Sequence, residues 1–337
     1  MNIYEIARAA KVSPATVSRV INGNEHVREE ARARVTEVIE KSGFVPNFFA
    51  RSLNQKQTNT VGILCPVISD INHARQVSVL EGYLRRDGFD IILCSLEQNY
   101  DNKRAYLELL IQKHVDAIFI IGTGNDELIG DIAAKVPIIV INGTIRIPEV
   151  YNLVSDERHM ASWLVDTLWQ AGCRAIAYVY DSETCSGREK RAGYLEGMKN
   201  CGLSAEGLMC RVDESISMND IQAASDAIEA FFKSAKIFPD AVMTADDILA
   251  APAQKVILSM GMNMPVIGWN NSMYAQIASP SITSVDINMD SLCREAVGVL
   301  KKIMEGKDAS SSIQVSCRLV ERESFVMKKD LKEQEET

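Results

Sequence analysis

Residues 13–22 read Ser-Pro-Ala-Thr-Val-Ser-Arg-Val-Ile-Asn, and this stretch predicts a short helix with two chemically different faces. Ser13 is a favourable N-cap, and Pro14 suits the first helical position, where no backbone N–H is needed. Apolar residues recur three and four positions apart, so one face can be buried. These residues are Val17, Val20 and Ile21. The other face carries Pro14, Ala15, Ser18 and Arg19, which suit contact with DNA phosphates and base edges. Taken alone, the pattern also fits an ordinary amphipathic helix.

The neighbouring segments decide between these two interpretations. Asn2 and Glu5 fit a capping box that starts a preceding helix, in which apolar residues follow at helical spacing as far as Ala10. Only a two-residue turn separates the two helices, which is typical of a helix-turn-helix unit whose second helix enters the major groove. A third helix is predicted over residues 29–42, with Gly43 as its stop.

Charge is unevenly distributed along the 337 residues. The net charge is −9, but residues 1–60 carry nine Lys or Arg against six Asp or Glu, whereas the rest of the chain carries 27 against 39. A basic N-terminal module on an acidic body fits a DNA-binding segment joined to a second function.

The remaining composition predicts a cytoplasmic protein of two or three domains. The first residues lack the runs of a secretory signal, and the longest apolar runs, such as 117–121 and 136–141, are too short to span a bilayer. The eight cysteines show neither a C-x-x-C pair nor a zinc-ligand spacing with the four histidines. Reduced thiols, no metal and no other cofactor are therefore expected.

Residues 2–53 resemble the headpiece of the lactose/galactose-repressor (LacI/GalR) family of bacterial regulators. The resemblance rests on Ile6-Ala7, Val12-Ser13, Thr16 to Asn22, Val27, Arg34-Val35, Gly43-Phe44, Pro46-Asn47, Ala50-Arg51 and Leu53. It implies phosphate contacts by Tyr4, Thr16, Ser18 and Asn22, and base contacts at Pro14, Ala15 and Arg19. Ser13, Asn47 and Ala50 complete the implied DNA-contacting set. Because neither Pro14 nor Ala15 has a side-chain donor, Arg19 is expected to carry more of the specificity than usual.

The same resemblance makes residues 46–59 a hinge helix and linker. In this family the hinge helix orders on operator DNA and pairs with its dimer mate, and Leu53 would enter the minor groove and kink the duplex.

Two residues depart from the family pattern. Lys11 stands where glycine is frequent in the turn, and Arg28 stands where Ser or Thr often caps the third helix. Each departure is expected to cost about 1 kcal/mol without changing the fold.

From Thr60 onward, short apolar strands alternate with helical stretches, which predicts parallel sheets covered on both faces. The predicted strands are 61–65, 91–94, 117–121 and 138–141, then 175–179, 241–244 and 265–268. The predicted helices are 74–86, 103–113, 161–171, 188–200 and 221–235. Two such series indicate an α/β core of two doubly wound parallel-sheet lobes, similar to the periplasmic-binding-protein-like core of the same family.

The predicted organisation therefore has three parts and a charged tail. A small all-α helix-turn-helix headpiece covers residues 1–45, the hinge and linker cover 46–59, the core covers 60–330, and the tail covers 331–337. The resemblance implies that the chain crosses between the lobes three times. Lobe 1 is expected at about 60–157 and 289–316, and lobe 2 at about 158–288 and 317–330.

Ligands of open α/β sheets bind beyond the carboxyl ends of the strands, which places a small-molecule site in the cleft between the lobes. The candidates are polar residues that follow predicted strands and match effector-contact positions of sugar-binding family members. They are Ser69, Asp70, Asn142, Ser186, Lys190, Asp246 and Asn270. Four of them depart from the commoner family residues: Lys190 replaces Arg, Asn142 and Asn270 replace Asp, and Asp246 replaces Asn. We expect the ligand to be a carbohydrate or sugar phosphate. Because these exchanges alter charge and donor geometry, the particular ligand of a relative is not carried over to this chain.

Other functions fit only parts of the sequence. An enzyme is disfavoured, because Gly122-Thr123-Gly124 lacks the third glycine of a dinucleotide-binding motif. The sequence also shows no Ser/His/Asp order of catalytic residues, no metal-ligand spacing and no P-loop. A plain sugar receptor has no use for residues 1–53. A regulator controlled by a protein co-regulator stays open as the alternative.

The sequence thus predicts a nucleoid-associated repressor, without membrane contact, that binds pseudo-palindromic operator DNA as a homodimer, with a tetramer left open. A ligand in the cleft would change the angle between the lobes and so the spacing of the hinge segments. Whether it acts as inducer or corepressor is open.

Overall fold

The computed structural model describes residues 2–21, 26–44, 57–97, 102–122, 128–181, 184–213 and 221–327. The chain divides into two units, Met1–Thr58 and Asn59–Thr337, and each has a hydrophobic core of its own. The predicted DNA contacts at Asn22, Asn47, Ala50 and Leu53 lie outside the described residues. So do most of the predicted hinge and the whole of the charged tail.

In its described residues, 2–21, 26–44 and 57–58, the first unit contains three helices, α1 (Ile3–Ala9), α2 (Pro14–Ile21) and α3 (Glu29–Ser42). They pack around a small core of fully or nearly fully buried side chains. These side chains are Ile6, Ala7, Ala10, Val17 and Val35. The apolar spacing that predicted the three helices therefore also selects the residues that hold them together.

The second unit alternates strands and helices. Its strands are β1 (Thr60–Cys65), β2 (Asp90–Ser95), β3 (Ala117–Ile121), β4 (Ile138–Ile141), β5 (Val150–Ser155), β6 (Ile176–Tyr180), β7 (Met209–Arg211), β8 (Ala241–Thr244), β9 (Val266–Trp269), β10 (Thr283–Asp286), β11 (Ser312–Val315) and β12 (Arg318–Val320). Its helices are α4 (Ile71–Arg86), α5 (Asn102–Gln112), α6 (Leu128–Ala133), α7 (Glu157–Gln170), α8 (Cys185–Asn200), α9 (Ile221–Ser234), α10 (Asp247–Ser259), α11 (Met273–Ile277) and α12 (Met289–Met304).

The strands form two six-stranded sheets. The first has the order β11-β5-β4-β3-β1-β2 and the second the order β12-β10-β9-β8-β6-β7. All pairings are parallel except that of β10 with β12, which is antiparallel at the edge of the second sheet. The predicted fold of two parallel-sheet lobes is confirmed, with one short antiparallel strand, β12, added at this edge, where it follows β11 directly. Every residue of β3 and β4 is buried, as expected for strands covered on both faces.

The chain passes between the sheets at three places, and hydrogen bonds tie these places together. The Ser155 hydroxyl donates to the carbonyl of Ile287 at 2.9 Å. The Cys317 N–H donates to Asp156 Oδ1 at 2.6 Å, and the Asp156 N–H donates to the carbonyl of Val315 at 3.1 Å. The three crossing segments thus lie side by side.

Several predicted elements need correction at their ends. Helices α4, α7 and α8 begin three or four residues before the predicted positions, and β6 and β9 are each displaced by one residue. Strands β5, β7, β10, β11 and β12 and helices α6, α10, α11 and α12 were not predicted. None of the described helices is long and apolar enough to cross a membrane.

Candidate functional site

The turn before α2 has the geometry that presents a recognition helix. A capping box closes the start of α1, in which the Asn2 N–H donates to Glu5 Oε2 at 2.8 Å and the Glu5 N–H donates to Asn2 Oδ1 at 3.0 Å. Lys11 then takes φ +53°, a conformation that favours glycine, which accounts for the family preference at this position. At the start of α2, the Thr16 N–H donates to Ser13 Oγ at 3.1 Å, so Ser13 is the predicted N-cap.

The two faces of α2 are separated as predicted. Val17 is fully buried, whereas Pro14, Ala15 and Arg19 are exposed. Thr16 and Ser18 are partly buried, and Tyr4 on α1 is 68% exposed. These described residues therefore present small side chains, hydroxyl groups and a guanidinium group toward solvent. Such groups suit contact with a DNA groove. Their assignment to phosphates or bases stays a prediction.

Helix α3 starts without the usual side-chain cap. Arg28 occupies the N-cap position and makes no capping hydrogen bond. Glu29 and Glu30 lie in the first turn, where their carboxylates interact favourably with the positive end of the helix dipole. At the other end Gly43 takes φ +62°. The absence of a side-chain cap at Arg28 agrees with the sequence, in which Arg28 replaces the Ser or Thr that often caps this helix in the family.

The second unit contains a cavity between its two sheets, at the carboxyl ends of the strands. Its lining comes from the loops after β1, β3 and β4 on one side and after β6, β8, β9 and β10 on the other. The cavity encloses about 1080 Å³ of empty space, including the part open to solvent. Cavities at the carboxyl ends of α/β strands, between two lobes, typically bind small molecules.

Six of the seven predicted effector residues line this cavity. They are Asp70, Asn142, Ser186, Lys190, Asp246 and Asn270. Ser69 is exposed and is not among the lining residues. The structure brings these six side chains to one place, and their role in binding an effector stays a prediction.

Asp246 is the most connected of these residues. Its Oδ1 accepts the Ile248 N–H at 3.0 Å and so caps α10. Its Oδ2 accepts the side-chain amides of Asn270 at 2.5 Å and of Asn72 at 2.9 Å. Asn72 belongs to α4, which packs on the first sheet, so this hydrogen bond spans the cavity.

Burial raises the pKa of Asp246 to about 8, and the neighbouring Asp247 carboxyl acts in the same direction. Lys190 and the Ile248 N–H oppose this rise. Asp247 is itself buried, which raises its pKa to about 6, although hydrogen bonds from Ser284 and Ser272 favour its charged form. Two adjacent carboxyl groups therefore titrate near neutral pH at the start of α10.

Lys190 is held inside the protein. Its ammonium group donates to the carbonyl of Ala245 at 2.9 Å, lies 3.6 Å from Glu157 Oε1 and sits 5.2 Å from the centre of the Trp269 ring. Glu157 Oε1 also accepts the Ser186 hydroxyl at 2.7 Å. The partly buried Ser186 and the buried Glu157 and Lys190 thus form a polar cluster at one wall of the cavity.

Asp70 stabilises the start of α4. Its Oδ1 accepts the backbone N–H groups of Asn72 at 2.9 Å and His73 at 2.8 Å. This carboxylate is therefore an N-cap as well as part of the cavity wall.

Sequence reasoning missed six polar lining residues. These are Asn72, His73, Gln76, Glu157, Asp181 and Thr184. Most lie within the first two turns of helices that follow strands, and the only sequence signal for them is that position. Gln76 is 3% exposed and its Nε2 has no hydrogen-bond partner in the described part of the chain.

Known proteins share both parts of this arrangement. Residues 2–47 match the family model described as bacterial regulatory proteins, lacI family, and residues 165–325 match that of a periplasmic binding protein-like domain. An HTH-type transcriptional regulator of Lachnoclostridium phytofermentans is 34% identical over 338 residues, across 96% of this chain and 99% of that protein. Catabolite control protein A of Priestia megaterium is 31% identical over 336 residues, across 96% and 99%.

Solved structures support the same fold. The lac repressor dimer bound to operator and the anti-inducer ONPF has a TM-score of 0.86 at 19% identity, covering 96% of this chain and 98% of that one. The complex of the transcriptional regulator CelR with cellobiose has a TM-score of 0.69 at 24% identity, covering 96% and 100%. At these identities the likeness is one of fold alone.

A helix-turn-helix headpiece joined to a two-lobed core defines a DNA-binding transcriptional regulator. The chain belongs to the LacI family of bacterial regulatory proteins.

Proposed function

We propose that the protein is a homodimeric repressor that acts in the cytoplasm, binds a pseudo-palindromic operator and responds to a carbohydrate in the cavity between its lobes. The observation that carries this proposal is the convergence of Asp70, Asn142, Ser186, Lys190, Asp246 and Asn270 on one cavity. The lining fits a polyhydroxyl ligand, because carboxylate and amide groups pair with hydroxyls. We assign these groups to binding and not to a reaction.

The relatives support the proposal by what they bind. The lac repressor was solved as a dimer on operator DNA, and CelR was solved with cellobiose. A two-fold operator follows from a dimer, because each headpiece contacts one half-site. The cavity favours a small-molecule effector over a protein co-regulator.

The first experiment selects operators from a random duplex pool with the full-length protein and then measures affinity by fluorescence anisotropy across a sugar panel. We expect a palindromic consensus, a dimer by analytical ultracentrifugation, and one or more sugars that change operator affinity. A protein that stays monomeric and binds all duplexes alike across the panel would overturn the proposal.

Asp246→Ala separates the two functions. The variant should select the same operator sequence as the wild type, because Asp246 lies in the core unit and not in the headpiece, and should lose the response to the sugar. A variant that still responds with unchanged sensitivity would exclude this cavity as the effector site.

A further inference from the structure

The cavity between the two sheets is lined by more acidic than basic side chains. Among the described lining residues, four carry carboxyl groups and one carries an ammonium group. The carboxyl groups are those of Asp70, Glu157, Asp181 and Asp246, and the ammonium group is that of Lys190. In sequence, the adjoining stretches 123–127 and 182–183 contain no Lys or Arg. At neutral pH Asp246, whose pKa is raised to about 8, is largely protonated, so three carboxylates stand against one ammonium group. The described lining therefore still surrounds a ligand with a negative potential.

The lysine is already occupied. Its ammonium group contacts the Ala245 carbonyl, the Glu157 carboxylate and the face of Trp269, and its side chain is only 7% exposed. His73, the remaining titratable side chain of the described lining, has its Nδ1 3.3 Å from Asp70 Oδ1. A phosphate entering the cavity would meet carboxylates without meeting a cation that is available to pair with it.

The hydrogen-bonding atoms indicate the same class of ligand. In the described part of the chain, three buried atoms of the lining have no hydrogen-bond partner: the Gln76 Nε2 donor, the Asn142 Oδ1 acceptor and His73 Nδ1. A hydroxyl group donates and accepts, so hydroxyls satisfy all three atoms. Ionised phosphate and carboxylate oxygens only accept, and would leave the Asn142 acceptor without a donor and lie against the carboxylates of Asp70, Glu157 and Asp181.

Resting on the proposed function, we propose that the effector is a polyhydroxyl compound without negative charge, and that the cavity excludes sugar phosphates and sugar acids. Selection arises from the sign of the lining charge and from its surplus of acceptors. Of the two ligand classes expected from sequence, carbohydrate and sugar phosphate, this proposal favours the unphosphorylated carbohydrate.

The test uses sets of sugars that differ only in charge, with the full-length protein on its selected operator. One set contains glucose, glucose 6-phosphate and glucuronate, and others contain galactose and N-acetylglucosamine with their acidic derivatives. Affinity is measured by calorimetry and by the change in operator anisotropy. In each set that contains a binder, we expect the uncharged sugar to bind at least ~100-fold more tightly than its acidic derivatives.

The alternative outcomes are distinguishable. If a sugar phosphate or uronate binds as tightly as its parent, and Asp246→Ala abolishes the response, the charge inference fails and the proposed function stands. If operator binding responds to no sugar, the proposed function fails and the inference fails with it.

A charge-neutralising variant tests the electrostatic cause. Glu157→Gln keeps the acceptor for Ser186 but removes one lining charge and releases Lys190, so the preference for the uncharged sugar should fall by about 10-fold. Glu305→Gln is the matched control, because it makes the same change ~24 Å along α12 from the lining residue Met289. Equal preference in Glu157→Gln and wild type would overturn the inference.

Discussion

At the scale of single residues, the carboxyl group of Asp246 connects three parts of the core. It caps α10, accepts the amide of Asn270 in the same lobe, and accepts the amide of Asn72 from α4. The same group has a pKa raised to about 8 by burial. A proton on this carboxyl therefore affects helix capping, lobe contact and the cavity wall together.

The raised pKa of Asp246 has a defined consequence for stability. Between the ordinary aspartate pKa of 3.8 and the raised pKa of about 8, the folded protein keeps a proton that the unfolded chain releases, so the free energy of unfolding falls as pH rises through this window. Asp246→Asn should remove a slope of up to ~1.4 kcal/mol per pH unit. Urea unfolding from pH 5 to pH 8 measures this slope, with the exposed Asp308→Asn as control. Parallel curves for wild type and Asp246→Asn would contradict the prediction.

Arg19 is the exposed side chain of α2 with the greatest capacity to read a base. Arg19→Ala should relax base preference at one position of each half-site and weaken specific binding by ~1–3 kcal/mol, because a bidentate contact to guanine is lost. Tyr4→Phe removes a hydroxyl group that is expected to contact a phosphate, and should weaken binding to all duplexes by the same factor. Operator selection with each variant measures the difference, and an unchanged consensus for Arg19→Ala would refute the assignment.

Two residues show why sequence reasoning about single positions stops short. Asn142 and Asn270 were assigned to the ligand because they follow strands. Their φ angles are +57° and +85°, in a region that asparagine tolerates better than most residues. Backbone geometry is thus a second reason for asparagine at both sites, and it could not be deduced without coordinates.

At the scale of elements, helices α7 and α8 pack through glycines on α8. A Cβ at Gly193 would collide with the carbonyl oxygen of Arg158, and one at Gly197 would lie 2.8 Å from the carbonyl oxygen of Ser162. These glycines allow close approach of the two helices. Because Glu157 and Lys190 lie on this pair, the packing also positions a wall of the cavity.

Gly193→Ala should therefore destabilise the core by ~1–3 kcal/mol, because the added methyl group must push the two helix backbones apart. Gly298→Ala in α12 is the matched control, since a Cβ there meets no atom within 4 Å. It should stabilise the protein by ~0.5–1 kcal/mol through helix propensity. Thermal and urea unfolding measure both changes, and a neutral Gly193→Ala would show that the helices can separate freely.

Seven of the twelve described strands and the centres of five core helices could be predicted from sequence, whereas five strands, four core helices and three helix starts could not. Apolar runs identified β3, β4 and β8 with their observed ends. The missed first turns of α4, α7 and α8 contain Asn72, His73, Glu157 and Ser186, which line the cavity. Polar residues that line the cavity interrupt the apolar spacing, so the pattern failed where these lining residues lie.

At the scale of the whole molecule, side-chain contacts close the cavity across the two lobes. Asn72 donates to Asp246, and Arg75 Nη1 donates to the carbonyl of Asn271 at 3.3 Å. Both contacts join α4 to residues that are more than 170 positions away in sequence. No local pattern could predict them. A ligand that engages Asp246 would act on the same contact that joins the lobes.

Coupling between the cavity and the operator must be reciprocal. If a sugar changes operator affinity by a given factor, typically ~5–150-fold, the operator must change sugar affinity by the same factor. Calorimetric titration of the sugar with and without a saturating operator duplex measures the second factor, and anisotropy measures the first. Factors that disagree beyond experimental error would exclude a simple two-state linkage between the two sites.

Only Ser316 and Cys317 lie between the last strand of the first sheet, β11, and the last strand of the second, β12. Three peptide steps reach at most ~11 Å, so this corner acts as a tether that does not lengthen. The lobes can swing about it but cannot be drawn apart there. When one lobe rotates relative to the other, the displacement of each atom therefore grows with its distance from this tether. A small rotation displaces most the parts of each lobe that lie farthest from it.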